Sequence, residues 1–216
     1  MKRNRTELVF ILDKSGSMAG LEDDTIGGFN AMLKKQQKAK GDAFVTTVLF
    51  DHHYELLHDR VNVKKVSPLT EKDYEAGGTT ALLDALGFSI QKMIHIQKKS
   101  SPPERADKVL FVITTDGMEN ASREYTADKI KQMVQHQQQE YGWDFMFLGA
   151  NIDAISTAEK YGIREEFAVN YHADEAGTLL NYEAVSDAVS TLRSGKKIDR
   201  NWKGQIEKDY KKRSMR

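Results

Sequence analysis

Four apolar runs dominate the chain and leave few options for its fold: "ELVFIL", "AFVTTVLF", "KVLFVITT" and "DFMFLGA". Each is short, rich in strand-forming residues and lacks polar alternation. A strand of that kind is covered on both faces. Amphipathic stretches stand between them. In "LEDDTIGGFNAMLKKQQKA", Ile26, Phe29 and Leu33 share one helical face, with Asp23 and Asp24 near its start. In "ALLDALGFSIQKMIHIQKK" the stripe is Leu82, Leu86, Ile90, Met93 and Ile94. Further helices are expected over "YTADKIKQMVQHQQQEYG", with Thr126 as its cap, over "IDAISTAEKYG", closed by Gly162, and over "DEAGTLLNYEAVSDAVSTLRSG". "EEFAVNY" is expected to be a last strand, and "HYELLHDRVNV" the antiparallel partner of the second.

This alternation predicts an α/β fold. Its central sheet is doubly wound and mainly parallel, with one antiparallel edge strand and helices on both faces. Gly27 and Gly28 weaken the first helix, and close packing against the sheet is their expected reason. With 216 residues, one domain is expected over 1–193, followed by a basic tail or helix over 194–216.

Ligands of such sheets bind beyond the carboxyl ends of the strands. Three loops there carry oxygen donors. "LDKSGSM" supplies Asp13, Ser15 and Ser17; "GGTTALLD" supplies Thr79 and Thr80; "ITTDG" supplies Asp116. Two carboxylates balance a divalent cation, and neutral hydroxyls fill positions without adding charge. Hard oxygen donors suit Mg²⁺ or Mn²⁺. Absent cysteine removes zinc–thiolate sites, disulfides and thiol catalysis. The six histidines are scattered, and none, His52 and His53 included, is expected at these strand ends. Glu119, beside Met118, is expected to face solvent, and Asp84 to stand opposite the dipole of its helix.

Asp13-Lys14-Ser15-Gly16-Ser17 resembles the D-x-S-x-S motif of the von Willebrand factor type A family. The threonine loop and the "TTDG" aspartate follow in that family's order. The resemblance spans about 6–193. It implies a metal ion-dependent adhesion site with Ser15 and Ser17 on the cation, Asp13 on it directly or through water, and a threonine and Asp116 completing the shell. "GGT" points to Thr79 and the following "TALLDAL" to Thr80; we take Thr80. The resemblance further implies a binding module rather than an enzyme, one whose metal accepts an Asp or Glu carboxylate from a partner protein.

Two other classes fit less well. An aspartate-nucleophile phosphotransferase resembles D-x-D-x-T, but Ser15 stands at the second aspartate, and no phosphate-binding G-x-x-x-x-G-K-[ST] occurs. Nucleic-acid binding rests only on the basic tail with Trp202 and Tyr210, since Lys+Arg and Asp+Glu are both 32. The apolar run after "MKRNRTE" is shorter than a signal-peptide core, and no window reaches the length of a membrane span. A cytoplasmic protein is the expectation.

Overall fold

The computed structural model describes residues 5–214. Six strands form one sheet: β1 (Arg5–Asp13), β2 (Asp42–Phe50), β3 (Tyr54–Asn62), β4 (Lys108–Thr115), β5 (Asp144–Ala150) and β6 (Ala168–Tyr171). Their order is β3-β2-β1-β4-β5-β6. All neighbours are parallel except β2 and β3. The helices are α1 (Glu22–Lys38), α2 (Leu82–Lys99), α3 (Ala127–Tyr141), α4 (Ala154–Lys160), α5 (Glu175–Arg193) and α6 (Gly204–Ser214). This is the expected doubly wound arrangement.

The apolar runs are covered on both sides. Phe10 on β1 packs edge-on to Phe29 of α1, which packs edge-on to Tyr182 of α5. On the opposite face, Phe111 of β4 stacks on Phe145 of β5 and on Trp143, which lies beneath α2 and α3. Gly28 has a different reason from the one expected. A Cβ there would sit 2.2 Å from the Tyr182 ring, so the glycine lets α1 and α5 approach each other and is not packed on the sheet. Gly27 faces open space.

The last strand is shorter than the sequence suggested, because Glu165–Phe167 form a helical turn. The Glu165 carbonyl accepts from Lys203 Nζ (2.9 Å), and that of Glu166 from Trp202 Nε1 (2.9 Å). Those carbonyls are taken by the C-terminal segment, and β6 begins only after them. From there α6 packs on β6 and α5, with Ile206 buried. No described helix is long and apolar enough to cross a membrane.

The chain runs from β1 outward through β2 and β3, then returns to place β4 on the other side of β1. This reversal opens a crevice at the carboxyl ends of β1 and β4. Asp13 ends the first of these strands and Asp116 follows the second.

Candidate metal centre

The three oxygen-bearing loops meet over that crevice. Asp13 is buried, and both its carboxylate oxygens are engaged. Oδ1 accepts the Ser15 backbone N–H at 2.7 Å, and Oδ2 accepts the Thr115 hydroxyl at 2.5 Å. The first bond closes the turn that brings Ser15 and Ser17 back over the strand end. The two serine hydroxyls are 3.2 Å apart, and Ser17 Oγ donates to Asp116 Oδ1 at 2.6 Å. Tyr74, wholly buried, donates its hydroxyl to the Asp13 carbonyl.

Gly117 locates the centre of the cluster. A Cβ built on it would lie 3.0 Å from Ser17 Oγ, 3.3 Å from Thr80 Oγ1 and 3.9 Å from Ser15 Oγ. The hydroxyls of two loops therefore converge where the third loop has no side chain. Thr80 is the buried threonine of its pair and Thr79 the exposed one. Thr80 is also not the cap of α2. Leu83 N–H donates to Glu119 Oε2 (2.9 Å) and Asp84 N–H to Ser122 Oγ (3.1 Å), so the third loop satisfies that helix start. The Thr80 hydroxyl is left to face the serines.

Main-chain hydrogen bonds hold the loops together. Gly16 N–H donates to Gly78 O (3.1 Å) and Gly77 N–H to Lys14 O (2.8 Å). Asn120 clasps the threonine loop: Thr80 N–H donates to its side-chain oxygen (2.9 Å), and its own N–H donates to Thr80 O (3.0 Å).

Burial dominates the electrostatics of the two carboxylates. Burial pushes the Asp13 carboxyl up to about 6, against the lowering effect of its bonds from Ser15 and Thr115. Burial also raises Asp116, against its bond from Ser17. Asp116 Oδ2 is buried and accepts no hydrogen bond. Such an oxygen is costly unless something electropositive meets it. The five side chains Asp13, Ser15, Ser17, Thr80 and Asp116 could hold a hard divalent cation; the buried, unpaired oxygen and the three convergent hydroxyls fit one.

Several participants were not expected. Thr115, Asn120 and Tyr74 position the donors, yet only Thr115 had a visible signal, as the first polar pair of "TTDG". Glu119 does not face solvent in the expected way. Its carboxylate accepts the N–H groups of Leu83, Ala121 and Ser122. Asp84 accepts from Arg123, Glu124 and Tyr125 N–H. The two histidines are also placed differently. His52 and His53 lie in the β2–β3 turn at this same edge, and the His52 ring lies against Gly78 of the threonine loop.

No protein-family model matches the chain, and no curated protein does. Solved structures do match. The von Willebrand factor domain of the type V pilus tip protein Mfa5 from Porphyromonas gingivalis has a TM-score of 0.62 at 10% identity, over 87% of this chain and 95% of that one. Proximal thread matrix protein 1 from the mussel byssus, solved with a zinc-occupied adhesion-site motif, has 0.58 at 15%, over 86% and 46%. A von Willebrand factor type A protein from Catenulispora acidiphila has 0.55 at 13%, over 84% and 42%. The chain has the von Willebrand factor type A fold. It spans about half the length of the mussel protein it matches.

Proposed function

We propose that this protein is a metal-dependent protein-binding module. Asp13, Ser15, Ser17, Thr80 and Asp116 hold Mg²⁺ or Mn²⁺, and a partner protein supplies an Asp or Glu carboxylate to complete the sphere. The observation that carries this reading is Asp116 Oδ2, buried without a donor beside three converging hydroxyls. The cation supplies one electrophilic position open to an outside oxygen. The chain's part is to present two negative charges and three neutral donors on loops already fastened to one another, so little ordering remains when a partner arrives. Met118, 75% exposed on the third loop, offers that partner an apolar contact at the rim.

Binding is favoured over phosphoryl transfer. An aspartate nucleophile of that kind works with a second carboxylate two positions on, and Ser15 stands there. Nucleic-acid binding through the tail is less favoured because two of its cations are used internally. Lys203 Nζ donates to two backbone carbonyls, and Arg213 pairs with Asp174 and Asp209.

The test is thermal unfolding after chelation, with and without millimolar Mg²⁺ or Mn²⁺. The metal raises the transition temperature, because a ligand specific to the native state stabilises it by mass action. The Ser15→Ala/Ser17→Ala double variant remains folded and loses that rise. An unchanged transition in the wild-type protein would refute the site.

A further inference from the structure

The β2–β3 turn gathers three metal-ligating groups of a different chemical kind. Asp51, His52 and His53 each offer one ligand atom, and the three atoms lie within 4.8 Å of one another. His52 Nδ1 and His53 Nδ1 are both 3.3 Å from Asp51 Oδ1. The ring centroids are 3.8 Å apart, with the planes tilted by 48°. Zinc bonds to imidazole and carboxylate of about 2.0–2.2 Å place tetrahedral ligand atoms roughly 3.3–3.6 Å from each other. The two nitrogen–oxygen separations already have that length.

Gly78 provides a second, independent observation. A Cβ on it would lie 2.4 Å from His52 Nδ1 and 3.4 Å from Asp51 Oδ2. Its φ of +74° calls for glycine on backbone grounds alone. The His52 ring fills the place a side chain would take, so only glycine lets the threonine loop pack against the turn and hold the imidazole beside Asp51. The turn is also fixed: Asp51 Oδ1 accepts the His53 N–H (2.6 Å), and the Asp51 carbonyl accepts Ala81 N–H (2.7 Å). The His52 and His53 side chains are 48% and 72% exposed, so an ion can enter from solvent.

We infer that Asp51, His52 and His53 form a second metal site on the same rim, selective for Zn²⁺-class ions. Two imidazole nitrogens and one carboxylate suit zinc or cobalt, whereas the all-oxygen cluster suits magnesium or manganese. Three protein ligands leave the ion a further position for water or an outside donor. The site stands on its own residues and does not require the oxygen cluster to bind metal.

Zn²⁺ is titrated calorimetrically into the chelator-stripped full chain in excess Mg²⁺, with Co²⁺ absorption as a second readout of nitrogen ligation. One zinc equivalent is expected to bind the wild-type protein. The Ser15→Ala/Ser17→Ala variant retains it, and His52→Ala/His53→Ala weakens it at least tenfold while keeping the Mg²⁺-dependent rise in unfolding temperature. The single variant His53→Gln weakens zinc as well and serves as a milder control on folding. No zinc binding in the wild-type protein, equal binding by the histidine variants, or loss of zinc in the serine variant alone would each overturn the assignment.

Discussion

Thr115 shows how one buried hydroxyl sets the state of a carboxylate. It donates to Asp13 Oδ2 across the β1–β4 boundary from a fully buried position. Thr115→Val keeps the shape and removes the donor, leaving a buried oxygen unsatisfied. We expect a loss of about 1–3 kcal/mol in denaturant unfolding of the metal-free protein, while a change within experimental error would mean that water replaces the hydroxyl. At this scale the sequence was informative wherever donors cluster locally. Asp13, Ser15 and Ser17 lie within five positions of one another, and their alternation is readable. The groups that hold them are not. Tyr74, Asn120 and Glu119 act through contacts to backbone amides and carbonyls 36 to 61 positions away. Such bonds follow no residue spacing. The histidines were misplaced for a related reason: a two-strand turn has no periodicity to show which sheet edge it occupies.

Among the elements, the buried strands are legible because both faces of β1, β2 and β4 are covered, which leaves each with a continuous apolar run in place of polar alternation. β6 was overextended because the competing partners of its first residues lie more than 30 positions later, in the segment that leads into α6. That segment is basic and reads as solvated, yet Lys203 and Ile206 are buried against β6 and α5. Ile206→Ala is expected to cost about 2–5 kcal/mol in urea unfolding without altering the Mg²⁺-dependent rise in unfolding temperature. A surface-like loss of a few tenths would mean that α6 does not stay docked in solution.

For the molecule as a whole, acid response combines opposing groups. Burial lowers the pKa of His58, whose ring sits between Thr47 and Ser67. The folded protein then holds fewer protons at His58 than the unfolded chain does. Its contribution is complete above the unfolded value near 6.5 and is lost as pH falls through that value towards the folded one. Asp13 and Asp116 are raised by burial, so the metal-free fold holds more protons there, and their contribution declines as pH rises above the ordinary carboxylate range. Comparing unfolding free energies at pH 7 and pH 5.5 separates the two effects. His58→Gln should lose less stability than the wild-type protein over that interval, and an equal loss would mean that His58 titrates as freely as in the unfolded chain.

The main-chain ties between the first and second loops have a practical corollary. Because Gly16 is fastened to Gly78 and Gly77 to Lys14 by peptide groups alone, the exposed side chains of Met118 and Thr79 carry little of the loops' shape. Positions such as Met118 and Thr79 can therefore be randomised as a library on an unchanged frame. Selection from it would yield binders sharing one mode of anchoring and differing only in whom they recognise.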